Sequence, residues 1–439
     1  MSNSGKNVRL NLSDVRASEW VQAICSHKEN EMDHNSLQST EESPEQAATG
    51  RTSRLFFIDH LRAALVILVV LHHIALVYGG IPPFYYLEPP NPTNDLLAGL
   101  VLFAFVLFNQ AWFMGAFFLI AGYFTPGSFD RKGPGSFLRD RLLRLGIPLI
   151  VFIFVLSPIS MLGLYLMPAS QGGIATPLTW QTFPYLAFLG LGPLWFVAML
   201  LIFSFGYAGW RRLTRNRIST SMSKSSAPNY LSIGIFILAL ALVSYLVRIV
   251  VPLGEPVILF VYFLSFPTIA YLPQYLSFFV LGIIASRHDW FRTTPGSMGV
   301  VGFVAALVAT VLLFSIAFIS LLTSIENGSQ QLPAFGYGTW QSAVYTLWDS
   351  IFAVGLSLAA ITFFRRFFNG ESRFGGLLSQ QSYAVYIIHT LIIVFLAFVL
   401  RGIDLEHLLK FGMATVIAIP TCFAAAYIVR KIPGVSRVL

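Results

Sequence analysis

The stretch FIDHLRAALVILVVLHHIALVYG, residues 57–79, decides the fold. At 1.5 Å per residue it is long enough to cross the ~30 Å hydrocarbon core of a bilayer. Between Arg62 and His72 it contains only Ala, Leu, Val and Ile. Around that apolar run sit Asp59, His60, Arg62, His72 and His73. Ionisable side chains at membrane depth cost about 3 kcal/mol or more unless they are paired, so each is a functional candidate. The stretch reads as a membrane helix that carries chemistry.

The remaining sequence has the same character. Of 439 residues, 56% are hydrophobic and 11% are charged, with a mean hydropathy of +0.70. A soluble domain carries roughly 25% charged residues. That composition excludes a soluble enzyme, a nucleic-acid-binding protein and a disordered chain, and leaves a polytopic membrane protein. A ruler of ~20 apolar residues marks ten candidate helices. They fall at about 57–79, 96–124, 142–167, 193–210, 230–251, 270–286, 298–322, 341–364, 379–399 and 408–429. The segment 252–269 is apolar but broken by Pro252, Pro256 and Pro267, which suits a re-entrant piece or part of a longer sixth helix. The expected fold is all-α, with about ten transmembrane helices over 51–439. Residues 1–50 read as a polar, disordered cytoplasmic tail without the apolar core of a signal peptide.

Charge sets the orientation. Residues 1–50 hold four Lys+Arg and eight Asp+Glu, whereas 51–439 hold 24 and 12. The loop 125–144 carries Arg131, Lys132, Arg139, Arg141 and Arg144, and the loop 211–229 carries five more cations. The alternate loops 80–95, 168–192, 252–257 and 323–340 have none, and only 400–407 breaks the pattern, with Arg401 beside Asp404 and Glu406. This asymmetry predicts both termini on the cytoplasmic side, in a plasma or secretory-pathway membrane, and the bilayer as the main partner. It is a topology signal, not one for nucleic acid. Asn327-Gly328-Ser329 is a glycosylation sequon in a loop expected outside, which fits a glycoprotein. Cys25 and Cys422 form no disulfide framework or metal motif, and no metal is expected.

On a helical wheel, Arg62 and His73 lie eleven steps apart, which places them ~20° from each other and ~16 Å apart along the axis. Asp59 lies within ~40° of His73 but ~21 Å away, so it suits pairing with Arg62 or capping the helix. His72 points ~80° from Arg62, and the two adjacent imidazoles diverge too far to chelate one ion. Arg141 and Arg144, three apart on one turn, make a fork suited to phosphate. A basic loop that only sets topology or meets anionic lipid is the competing reading. Further polar candidates within apolar runs are His389, Asn109, Gln110, and an Arg248–Asp349 ion pair. Trp195, in Gly192-Pro193-Leu194-Trp195-Phe196, suits an interfacial anchor beside a shaped outer cavity.

Taken in order, these pieces resemble the acyltransferase-3 family of integral membrane acyltransferases. Arg62, ten residues, then His73 matches that family's opening hallmark, and His72 falls one residue short. Phe117-Phe118-Leu119-Ile120-Ala121-Gly122-Tyr123-Phe124 is similar to the next motif, with Ala121 where the family commonly has Ser. Arg141-Leu142-Leu143-Arg144 running into Pro148 resembles its basic segment. Leu194-Trp195-Phe196 and Ser382-Tyr383 through His389 complete the series, which covers residues 54 to about 430.

The resemblance implies transfer of an acyl group, often acetyl, from acyl-CoA to a hydroxyl or amine. The acceptor would be a glycan or another small molecule. It implies O-acetylation with His73 as base (His72 the weaker candidate) and acetyl-CoA as co-substrate. Arg62, Arg141 and Arg144 would hold the CoA phosphates, with Asp59, Gly122, Tyr123, Trp195 and His389 in supporting places. An imidazole away from water is favoured in its neutral, proton-accepting form. The rival class is a multi-pass transporter or exporter using Asp349, Arg248 and His389 as an ion path. Its weakness is the lack of visible repeats. A non-catalytic receptor is a further alternative. Phosphatase and glycosyltransferase chemistry would need paired carboxylates or a metal motif, and neither is visible.

Overall fold

The computed structural model describes residues 54–439 except 83, 90–94, 168, 170–172, 177, 180–183, 215–227, 259–264, 267–268 and 330. The tail expected over 1–50, with Cys25, lies outside the described residues.

The first helix, α1, spans Phe56–Tyr78. The second, α2, spans Asp95–Arg141 and is broken once, at Gly133, whose φ of 72° and ψ of 165° interrupt the helical path. From there the chain continues without a gap. A π turn at Leu142–Gly146, α3 (Ile147–Val151), a second π turn at Phe152–Leu156, α4 (Ser157–Met161) and a 3-10 turn at Leu162–Leu166 follow in turn. Then come α5 (Trp195–Leu213), α6 (Tyr230–Val250), α7 (Leu272–His288) and the single turn α8 (Trp290–Thr293). A π turn at Thr310–Phe314 joins α9 (Gly296–Ala309) to α10 (Ser315–Glu326). The last three helices are α11 (Trp340–Phe367), α12 (Arg373–Leu400) and α13 (His407–Arg430).

Among the described residues, nine helical runs are long and apolar enough to cross a membrane. The sequence marks ten, and the difference has a simple cause. The second and third candidates lie in one continuous run, Leu96–Tyr165, bent at Gly133 rather than separated by a loop. The segment 252–269 is not a helix. It contains a short antiparallel pair, β1 (Val257–Ile258) with β2 (Ser265–Phe266), and then a 3-10 turn at Ile269–Tyr271.

Local signals set the helix ends. The side chains of Asn229, Thr339, Ser372 and Glu406 each accept from a backbone N–H three residues on, and so cap α6, α11, α12 and α13. Arg211, Arg287, Arg365 and Arg430 lie in the last turns of α5, α7, α11 and α13, where a cation meets the negative end of the helix dipole. The outward surface is apolar. Ile235, Leu238 and Leu242 on α6, with Val304, Val308 and Val311 on α9 and its π turn, are exposed, as lipid-facing positions are.

The core is held by close backbone approach. A Cβ on Gly122 would overlap the Phe279 carbonyl oxygen, and one on Gly282 would overlap that of Leu119, so α2 and α7 cross almost in contact. Gly302 and Gly355 make the same kind of crossing between α9 and α11. Around the α2–α7 crossing, Phe118, Trp195 and Tyr275 stack together, with centroids of Trp195 and Tyr275 5.3 Å apart.

Candidate functional site

A cavity of about 340 Å³ opens among α1, α2, α5, α12 and the π turn after α2. Arg62, Arg141 and Arg144 line it, so the three predicted cations converge on one space. The other walls include Val66, Ala121, Phe196, Tyr383 and Tyr386. Ala121, which stands where the resembled family commonly has Ser, is thus a wall residue. Val438 and Leu439 also border the cavity.

The arginines differ in their surroundings. Arg62 faces Asp59 across 3.9 Å. Arg144 bonds Asp140 at 3.1 Å, and Lys132 shares that carboxylate at 2.9 Å. The Arg141 guanidinium rests over the Phe137 ring at 5.2 Å, and its Nε is buried without a partner among the described residues. The Tyr383 hydroxyl donates to the Arg144 carbonyl at 2.7 Å, which ties α12 to the basic turn.

His73 does not line this cavity. The wall residue Tyr386 has its ring centroid 5.9 Å from that of His389. The His389 ring in turn lies 4.7 Å from His73, edge to face. Past His73 stands Phe84, from the loop after α1, at 5.4 Å. Ring contacts thus run from the cavity wall at Tyr386 through His389 to His73 and on to Phe84. The Tyr386 hydroxyl donates to the Pro193 carbonyl, which holds the ring in place.

Hydrogen bonding fixes the state of both imidazoles. Nδ1 of His73 lies 2.7 Å from the Val69 carbonyl, and Nδ1 of His389 lies 2.7 Å from that of Tyr386. A carbonyl can only accept, so each Nδ1 carries a proton, and in the neutral ring Nε2 then keeps the lone pair. His73 is half-buried, whereas His389 is fully buried, with no partner for Nε2 among the described residues. His72 turns the other way, onto Phe113 of α2 at 5.1 Å, and is buried with no partner for Nδ1 among the described residues.

Several expected residues have other work. Trp195 is 8% exposed and stacked in the core, so it is not an interfacial anchor; its neighbour Phe196 is the one that lines the cavity. Gly122 serves the helix crossing. The Tyr123 hydroxyl donates to Asp289 at 2.9 Å and its ring stacks on Phe291 at 4.1 Å, so it fastens α2 to the junction of α7 and α8. Arg248 and Asp349 pair at 2.5 Å, with Thr346 on the same guanidinium. Gln110 bonds the Tyr275 hydroxyl at 3.0 Å, whereas Nδ2 of Asn109 has no partner among the described residues. Asn327 follows the last turn of α10. No group of three or more metal-ligating side chains occurs among the described residues.

Sequence reasoning passed over Tyr386, Phe84, and a buried Glu88–Lys410 pair at 2.6 Å, in which Tyr86 donates to the same carboxylate at 3.1 Å. Two signals were present. Tyr383, Tyr386 and His389 recur every third residue, on one face of a helix. Lys410 is a lone lysine inside an apolar run.

Known proteins place this architecture. Residues 55–430 match the family described as "Acyltransferase domain", the acyltransferase-3 model. The glucans biosynthesis protein C of Salmonella paratyphi B, of Salmonella dublin and of Salmonella enteritidis are each 26% identical over 268 residues. That stretch is 59% of this chain and 66% of each relative, so the chain spans just under two thirds of their length. With the family match running over nearly all of the described residues, the chain belongs to the acyltransferase-3 family of integral membrane acyltransferases.

Proposed function

We propose that the protein moves an acyl group, acetyl in the simplest case, from acyl-CoA to a hydroxyl of a carbohydrate or small metabolite, with His73 as general base. One observation carries this reading: three arginines line a cavity with Tyr386 in its wall, and His73, whose Nδ1 is bound to the Val69 carbonyl, is linked to that ring through His389. Guanidinium groups suit the CoA phosphates. The cavity is too small for a whole CoA, so the nucleotide would stay at the mouth while the pantetheine arm enters. Delivery of the thioester to His73 would require the Tyr386 ring to turn aside.

The chemistry balances at named atoms. The acceptor oxygen attacks the thioester carbon as His73 Nε2 takes the hydroxyl proton. The carbon–sulfur bond then breaks, and the proton passes from Nε2 to the CoA sulfur. Nδ1–H on the Val69 carbonyl keeps the ring oriented through both steps. The loop cations favour the arginine side as cytoplasmic, where acyl-CoA is available. The relatives' name, glucans biosynthesis, supports a carbohydrate acceptor. O-acetylation in a plasma or secretory-pathway membrane follows from the same reading, with sugar attachment at Asn327 as a separate expectation.

The test uses purified protein in detergent with labelled acetyl-CoA, following binding and thioester turnover. His73→Ala is expected to bind normally and lose turnover by about a hundredfold or more. Arg62→Ala is expected to bind more weakly, by about tenfold. A wild type that neither binds nor consumes acyl-CoA would remove the donor from the reading.

A further inference from the structure

A histidine base that becomes an imidazolium in an apolar interior needs something to stabilise its charge. In soluble hydrolases a carboxylate does this. Among the described residues no hydrogen bond joins either ring to a carboxylate: Asp59 is ~21 Å along α1 from His73, and Glu88, whose N–H bonds the Val77 carbonyl one turn past His73, is engaged by Lys410 and Tyr86. The hydrogen bonds found on the His73 and His389 rings go to backbone carbonyls. A carboxylate at this depth would itself be costly to keep charged.

We propose that His389 takes that place as a neutral, fixed dipole, a positioning residue for the base His73; this rests on the acyl-transfer reading above. Three observations support it. The two rings are 4.7 Å apart and meet at 62°. The Tyr386 carbonyl holds the His389 proton on Nδ1, so the negative end of the imidazole dipole is at Nε2. The ring that carries this dipole is the one that meets His73 edge to face. That Nε2 is fully buried and has no partner among the described residues, an arrangement that lowers stability and calls for an explanation. As His73 gains its proton, the lone pair already in place stabilises the new charge without rearrangement.

The proposal sets activity against stability. In the full-length protein, His389→Leu removes the dipole and the orphaned acceptor together. It is expected to lower kcat for acetyl-CoA turnover by about a hundredfold, to leave KM and binding of acetyl-CoA unchanged, and to raise Tm by about a few degrees. His389→Gln, which can present a carbonyl oxygen at the same depth, is expected to recover part of kcat. If His389→Leu retains wild-type kcat while His73→Ala is inactive, the dipole role fails and the base reading stands. A fall in Tm with no rescue by Gln makes His389 merely structural and overturns the proposal. A transition metal bound stoichiometrically to the purified protein overturns it too, since Nε2 would then be a ligand. If wild type and His73→Ala turn over equally little acetyl-CoA, the base reading itself fails, and the dipole role with it.

Discussion

Glu88 and Lys410 show how much one buried pair decides. Both side chains are about 5% exposed, and their carboxylate and ammonium meet at 2.6 Å. The Tyr86 phenol is raised above its ordinary range, by burial first and by Glu88 second, so it stays a donor to that carboxylate at physiological pH. Removing one partner of such a pair leaves an uncompensated charge, worth about 3–5 kcal/mol. Lys410→Met is therefore expected to lower Tm sharply in detergent. The double variant Glu88→Gln with Lys410→Met is expected to recover most of that loss, because no charge is then stranded. Acetyl-CoA affinity should stay put in both, since the pair is remote from the arginine cavity. The Arg248–Asp349 pair was legible because each residue stands out in an apolar helix. Glu88 was not, because a glutamate in an apparent loop carries no sign that the loop folds back against α1, where its N–H bonds the Val77 carbonyl.

At the scale of elements, the α2–α7 crossing is the most tightly constrained contact. A methyl group on Gly122 or Gly282 would meet backbone carbonyl oxygen, which cannot swing away as a side chain can. Gly122→Ala and Gly282→Ala are each expected to cost about 1–3 kcal/mol or more, read as a fall in Tm. Gly99→Ala on the same α2, with open space around it, is expected to be neutral or slightly stabilising. The FFLIAGYF motif made Gly122 visible in the sequence. What it does there was not visible, because the oxygen it avoids belongs to Phe279, which only the fold brings near. The π turns at Leu142–Gly146 and Phe152–Leu156 were equally hidden. They leave apolar periodicity almost unchanged while shifting which side chains face inward.

For the whole molecule, composition and the 20-residue ruler carried the class and almost every span, since a bilayer allows a chain few other options. The chemistry was partly legible. Arg62, Arg141 and Arg144 do share a cavity. The contact of His73 with His389, 316 positions later in the chain, and the placing of His73 outside the arginine cavity could not be read, because both depend on how α12 rotates against α1 and α5.

That separation has an electrical consequence. Suppose the thioester comes from the arginine side and the hydroxyl from the opposite side, past Phe84. The acyl group is neutral, yet the hydroxyl proton ends on a sulfur that leaves toward the arginines. Each turnover then carries one positive charge across the bilayer. A full crossing in a 100 mV field is worth about 2.3 kcal/mol, about fiftyfold in an equilibrium constant. In proteoliposomes with acceptor and acetyl-CoA on opposite sides, a potential negative on the arginine side is expected to speed acetylation, and the reversed potential to slow it. A rate indifferent to voltage would mean that both substrates enter from one side. In the first case the protein is a small current source as well as a catalyst, and the host's membrane voltage becomes one of its substrates.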